Sequence, residues 1–178
     1  GLLNDEAKQY AVEAARRVKA HGGFIHFFVV GRVCEQENVD WLKRLAEDGH
    51  TLGNHTYDHV YVLATKPADT QFRFARAPWL IAGKTAAQVI RENVALCTEA
   101  MRERIGVAPV GFRTPGGFLD GLNGREDVQR MLLDQGFKWV SCKYPAHPYG
   151  TTGDRASKDV LDGIVAAQAA AQPLDRKS

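Results

Sequence analysis

The fold is decided by residues 49–59, which read Gly49-His50-Thr51-Leu52-Gly53-Asn54-His55-Thr56-Tyr57-Asp58-His59. Residues 51–54 predict a short strand, and a polar segment bounded by two histidines follows it directly. His55 and His59 are four positions apart, so their imidazoles share one face if the segment turns helically. Neutral imidazole binds zinc well, but a catalytic zinc normally takes three protein ligands. The pair alone is therefore also compatible with two surface or capping histidines.

Helix and strand patterns alternate on both sides of this segment. The sequence predicts further strands over residues 24–30, 110–113 and 137–141, and helices over residues 4–20, 39–48, 85–106, 126–135 and 157–171. Thr85 and Gln88 form a capping box at the start of one helix, and residues 60–83 predict a long irregular loop. Strands separated by helices favour parallel pairing, in an open doubly wound sheet or a barrel. A functional site is then expected at the carboxyl ends of the strands.

A second chemically distinctive segment, residues 112–118, reads Phe-Arg-Thr-Pro-Gly-Gly-Phe at the end of a predicted strand. The Arg113 guanidinium can hold a carboxylate bidentately and so fix its orientation. Gly116 and Gly117 allow the backbone to approach a ligand closely and to offer an N–H to an oxyanion. The alternative is an ordinary loop with a surface arginine.

Composition excludes several other classes of protein. The 178 residues suit a single domain, and a net charge of +2 gives no reason to expect a nucleic-acid partner. No apolar run approaches the roughly 20 residues of a transmembrane segment. Three cysteines without a Cys-x-x-Cys pair, Cys34, Cys97 and Cys142, indicate small buried residues rather than a disulfide framework. Residue 1 is Gly rather than Met, so we expect the native N-terminus to lie upstream, and the compartment stays open.

These motifs, in this order, resemble those of the polysaccharide deacetylase family, the group that includes nodulation-type chitooligosaccharide deacetylases. Residues 49–59 resemble the family's second motif, a glycine-led strand that ends in His-Ser/Thr-x-x-His. Residues 27–31 resemble the strand that precedes it. Residues 113–117 resemble the third motif, Arg-x-Pro followed by an aromatic residue and usually Gly. The resemblance extends over residues 4–142.

The resemblance implies an α/β fold, a distorted and incomplete (β/α) barrel of the deacetylase type. It also implies a hydrolase that removes N-acetyl, or alternatively O-acetyl, groups from a polysaccharide such as chitin or peptidoglycan. The implied cofactor is a divalent metal, usually zinc, held by two His and one Asp. Carried onto this chain, His55 and His59 are metal ligands, and Thr56 supports their loop. Arg113 orients a catalytic Asp, and the Gly116 N–H helps to stabilise the oxyanion.

The chain departs from the family pattern at several positions. The first motif, Thr-Phe-Asp-Asp-Gly, and the last motif, which carries the acid His, are absent, and His147 does not match the latter. We therefore expect residues 1–178 to be a single catalytic domain truncated at both ends, with the third ligand, base and acid outside it. Gly116 replaces an aromatic residue, so we expect Phe118 to line the substrate groove. Trp79, in the loop after the His motif, is expected to border that groove or else to pack a satellite core.

Two other functions remain open at this point. Some relatives hydrolyse small cyclic amides without a metal, although the intact His55–His59 pair argues against that activity here. A non-catalytic carbohydrate-binding relative would keep the fold and lose the chemistry.

Overall fold

The computed structural model of the chain describes residues 5–143 together with Lys158, Asp159 and Asp162. Its α-helices are α1 (Asp5–Ala20), α2 (Asp40–Glu47), α3 (Phe72–Arg76), α4 (Ala86–Ile105) and α5 (Glu126–Asp134). Its strands are β1 (His26–Val29), β2 (Thr51–Asn54), β3 (Gly111–Phe118) and β4 (Trp139–Lys143). Short 3-10 helices cover Gly31–Glu35, Pro67–Thr70 and Pro78–Ile81.

The strands form one parallel sheet in the order β1-β2-β3-β4. Each crossover between neighbouring strands contains at least one helix, which is the connection that parallel pairing requires. Within the described residues the sheet is not closed, so the α/β class and the incomplete barrel are confirmed. The carboxyl ends of β2 and β3 lie side by side, because Asn54 pairs in register with Phe112.

Helix α4 is the central helix of the fold. The predicted capping box is present: the Thr85 hydroxyl accepts the Gln88 N–H, and the Gln88 side chain accepts the Thr85 N–H. Gly106 ends the helix in the left-handed conformation, at φ 79°. The buried face of α4 contributes to two hydrophobic clusters, with Ile90 and Val94 in one, and Cys97 and Met101 in the other.

The cysteines are distributed as the sequence predicts. Cys34 and Cys97 are buried, and Cys142 is half-buried. Burial raises the pKa of the Cys34 thiol to about 11 and that of Cys97 to about 12. These two side chains therefore behave as small apolar groups of the core, as expected.

The boundaries of two strands differ from the prediction. Strand β1 begins at His26 because Phe24 is exposed, and Ile25 donates its N–H to the His50 ring rather than to a neighbouring strand. Strand β4 begins at Trp139 because Phe137 still belongs to the end of α5, donating its N–H to the Leu132 carbonyl. In contrast, β3 continues to Phe118, five residues beyond its predicted end, with an irregular register against β4.

The segment over residues 60–83 is not the irregular loop that the sequence predicts. It contains two 3-10 helices and α3. Pro67 and Pro78 lie in the first turn of the 3-10 helices, where a fixed φ and a missing N–H are tolerated. Gln71 caps α3 by accepting the Arg73 N–H. The helix predicted over residues 157–171 lies almost entirely outside the described residues.

Large aromatic side chains cover two glycines on one face of the sheet. A Cβ at Gly53 would lie 2.5 Å from His26 Nε2, and a Cβ at Gly111 would overlap the Trp139 indole. The His26 and Trp139 rings consequently meet across these glycines, with centroids 4.7 Å apart. Trp139 is half-buried there. Phe28 joins the cluster and extends it towards the carboxyl ends of the strands.

No helix among the residues described is both long and apolar enough to cross a membrane.

Candidate metal centre

His55 and His59 lie close together at the carboxyl end of β2. His55 follows the last residue of that strand directly, and the two imidazole centroids are 4.9 Å apart with an interplanar angle of 74°. His55 is half-buried and His59 is exposed. The structure therefore brings the two sequence-predicted ligands together at the expected end of the sheet.

The loop that carries the histidines has an unusual backbone. Thr56 and His59 adopt positive φ angles of 60° and 59°, a conformation that is uncommon for residues other than glycine. The Thr56 hydroxyl accepts the Val60 N–H at 2.9 Å and so bridges the loop, as the resemblance implies. Such a conformation persists only where surrounding contacts enforce it.

Asn54, at the end of β2, fixes the start of the loop. Its side-chain oxygen accepts the Thr56 N–H at 2.8 Å. Its amide donates to the Val94 carbonyl and to the Thr98 hydroxyl of α4, at 2.9 Å each. Asn54 is fully buried, so these bonds satisfy its amide and anchor the loop to the central helix.

The hydrogen bond made by His55 leaves one ring nitrogen available to a metal. Its Nδ1 lies 2.9 Å from the Arg113 carbonyl, which can only accept, so Nδ1 carries the proton and Nε2 keeps a lone pair. Burial lowers the pKa of His55, and the hydrogen bond to the Arg113 carbonyl opposes this effect. Imidazole nitrogens are common zinc donors, so two such rings side by side fit such an ion.

Arg113 lies beside the histidines rather than at the opposite end of the sheet. The pairing of Asn54 with Phe112 sets Arg113 level with His55. The guanidinium carbon lies 5.3 Å from the centroid of the Phe28 ring, which in turn is 6.4 Å from the His55 ring. The two sequence motifs thus meet at one place, with Phe28 beneath them.

Of the remaining predicted site residues, Gly116 and Phe118 lie in the last part of β3, and Trp79 lies in the 3-10 helix Pro78–Ile81. Gly116 is exposed at φ 85°, and its carbonyl accepts the Thr114 hydroxyl at 2.7 Å. Phe118 is half-buried and meets the Tyr61 ring edge to face at 5.8 Å. Trp79 has 72% of its surface exposed, so it does not pack a satellite core.

The described residues supply two candidate metal ligands at this place, and not a third. Within residues 5–143 and the three described positions beyond them, no group of three or more His, Cys, Asp and Glu side chains is arranged to hold a metal. A zinc ion bound by the His pair would accordingly need at least one further donor.

Sequence reasoning missed three polar residues of the histidine loop and its surroundings: Asn54, Asp58 within the loop, and Asn93 of α4, whose side chain accepts the Asp58 N–H. One signal was available for Asn93. It stands on the apolar face of α4, three residues after Ile90 and four before Cys97, where a polar side chain requires buried partners.

The sequence matches the family model described as polysaccharide deacetylase over residues 3–131. No curated protein sequence gives a significant match.

Solved structures share the fold at low sequence identity. IcaB from Ammonifex degensii is 19% identical with a TM-score of 0.56, and the match covers 93% of this chain and 69% of that one. A CE4 family pseudoenzyme from Bacillus anthracis is 19% identical with a TM-score of 0.53, and the match covers 75% of this chain and 38% of the other. A mutant of a CE4 family pseudoenzyme with restored enzymatic activity is 19% identical with a TM-score of 0.54, and the match covers 75% of this chain and 40% of the other. The chain therefore spans well under half the length of these pseudoenzyme structures.

Proposed function

Because the chain belongs to the polysaccharide deacetylase family, we propose that it provides part of the active site of a metal-dependent hydrolase that removes N-acetyl groups from a polysaccharide such as chitin or peptidoglycan. The observation that carries this proposal is the His55–His59 pair, with ring centroids 4.9 Å apart beside Arg113. O-acetyl groups are the alternative substrate, since ester and amide hydrolysis pass through similar oxyanions.

His55 and His59 would hold the metal, with a carboxylate from outside the described residues as the third ligand. A divalent metal such as zinc supplies Lewis-acid polarisation of the acyl carbonyl and lowers the pKa of water. The Arg113 guanidinium would orient a catalytic carboxylate bidentately. The Gly116 N–H would stabilise the oxyanion, because a positive-φ glycine lets the backbone approach the substrate closely.

Phe118 and Trp79 would contact the sugar chain. The exposure of Trp79 supports this role, because an indole with 72% of its surface in solvent can stack on a sugar ring.

We expect Trp79→Ala to raise KM selectively for long substrates and to leave stability within about 0.5 kcal/mol, because the side chain buries little surface. Steady-state kinetics on short and long chitooligosaccharides, with thermal melts of both proteins, measure the two effects. Phe72→Ala is a matched control, since Phe72 is exposed to 70% in α3 of the same segment. An unchanged KM for the long substrate would remove Trp79 from the groove.

A non-catalytic, carbohydrate-binding relative is the second candidate. The observation that favours it is the lack of a third metal donor among the residues that the structure describes. A metal-independent amide hydrolase is less well supported, because such an enzyme has no use for the paired histidines.

Acetate release distinguishes these functions. Residues 1–178 and the full-length protein are each incubated with an acetylated chitooligosaccharide, with added zinc or with a chelator. We propose that the catalytic base lies outside residues 1–178, so we expect zinc-dependent release by the full-length protein and a rate about 10²–10⁴-fold lower from residues 1–178. No release from either protein would favour the non-catalytic candidate, and release that survives the chelator would favour the metal-independent one.

A further inference from the structure

Asp58 lies between the two histidines in sequence, but its carboxylate is bound by other side chains of the protein. Its side chain is 8% exposed, and one carboxylate oxygen pairs with Arg73 and, at 3.3 Å, with Arg32. The other oxygen accepts a hydrogen bond from the Asn93 amide at 2.9 Å. With both oxygens engaged by donors, Asp58 is a structural anion rather than a ligand.

Asn93 of α4 holds the middle of the histidine loop. Its backbone carbonyl accepts the Tyr57 N–H at 3.1 Å, and its side-chain oxygen accepts the Asp58 N–H at 2.8 Å. Its amide donates to the Asp58 carboxylate. One residue, only 6% exposed, therefore binds two consecutive residues of the loop through both backbone and side chain.

Asp58 also ties the loop to the segment that follows it. The Asp58 carbonyl accepts the Gln71 side-chain amide at 2.8 Å, and Gln71 caps the helix that carries Arg73. Arg32 comes from the 3-10 helix after β1. Contacts from three separate elements thus converge on this one aspartate.

These contacts lie between the two positive-φ residues, Thr56 and His59. Tyr57 and Asp58 are held at both backbone N–H groups, so the chain turns back sharply and brings the His59 ring to the His55 ring. Without the Asn93 side chain, the Asp58 N–H and carboxylate would each lose a partner, and the uncommon conformation at His59 would lose its support.

We propose that Asn93 and Asp58 are positioning residues of the metal centre, which set the distance between His55 and His59 through the loop backbone. This inference rests on the proposed metal-dependent function. Outer-shell groups that orient metal ligands typically change metal affinity by 10–100-fold when removed.

Zinc affinity, measured by calorimetry on the purified protein, tests the proposal. We expect Asn93→Ala to bind zinc about 10–100-fold more weakly than the wild type, approaching the affinity of His59→Ala. Asn93→Asp keeps the acceptor for the Asp58 N–H but places a second carboxylate against Asp58, so a loss of at least tenfold is expected there too. This second variant decides the matter should Asn93→Ala fail to fold.

Ile105→Ala is the matched control for global destabilisation. Ile105 is a buried residue of α4, twelve positions from Asn93, and it belongs to the hydrophobic cluster that contains Cys97 and Met101. It should lower the melting temperature and leave zinc affinity unchanged at a temperature well below melting. Equal zinc binding by wild type and both Asn93 variants would overturn the positioning role alone. Wild-type binding no tighter than that of a His55→Ala/His59→Ala double variant would overturn the metal centre, and this inference with it.

Discussion

Replacing His55 with alanine is expected to weaken zinc binding by more than about 100-fold, beyond the 10–100-fold typical of outer-shell substitutions. The side chain is half-buried, and its Nδ1–H is fixed by the Arg113 carbonyl, so Nε2 is held ready as a donor. The described residues offer two candidate ligands at this place, so the substitution leaves His59 as the single remaining candidate among them. A calorimetric titration of the variant against the wild type measures the loss.

His21→Ala is the control for this experiment. His21 is an exposed histidine just after α1, and its Nδ1 is hydrogen-bonded to the Arg17 carbonyl, as that of His55 is to Arg113. The control should bind zinc as the wild type does. Wild-type affinity in His55→Ala, or an equal loss in His21→Ala, would show that zinc binds at histidines other than the predicted pair.

The second large effect is expected for stability. Asn54→Ala should lower the free energy of unfolding by about 2–4 kcal/mol, because it leaves more than one buried polar group without its partner. The side-chain NH2 of Asn54 donates to the Val94 carbonyl and to the Thr98 hydroxyl, and its side-chain oxygen accepts the Thr56 N–H. Urea denaturation of wild type and variant gives the difference.

Asn123→Ala is the matched substitution for this comparison, since Asn123 is exposed in the turn before α5. It should change stability by no more than about 0.5 kcal/mol. A loss below 1 kcal/mol for Asn54→Ala would mean that water replaces its partners and that the anchor to α4 is weak.

The sequence was sufficient for the architecture because the relevant signals are local. Alternation of strands and helices predicts the parallel sheet, and the Thr85–Gln88 capping box and Gly106 mark the ends of α4 within one residue. Strand ends were less predictable. Phe24 and Phe137 read as strand residues by hydrophobicity, yet one is exposed and the other closes α5, which depends on tertiary packing.

The sequence also predicted that the His pair and Arg113 meet, since parallel strands present their carboxyl ends at one edge. It could not predict how the loop holds the two rings together. The positive φ angles of Thr56 and His59 violate ordinary residue preferences and follow from bonds to Asn54 and Asn93. Asn93 lies more than thirty residues away in sequence, and local patterns do not reveal such a partner.

The prediction of an irregular loop over residues 60–83 is wrong because proline and polar residues can begin a short helix as well as interrupt one. Pro67, Pro78 and the cap at Gln71 begin short helices here, rather than marking a loop without structure. Its aromatic side chains divide in a way that composition does not reveal, with Phe74 buried and Trp79 exposed.

The most direct test of the metal centre is a zinc-soaked crystal structure with anomalous diffraction recorded at the zinc edge. Our account predicts a zinc ion within about 2.0–2.1 Å of one ring nitrogen of both His55 and His59. The His55 nitrogen should be Nε2, because its Nδ1 is engaged by the Arg113 carbonyl. Anomalous density elsewhere, or rings that point apart with no zinc between them, would contradict the account.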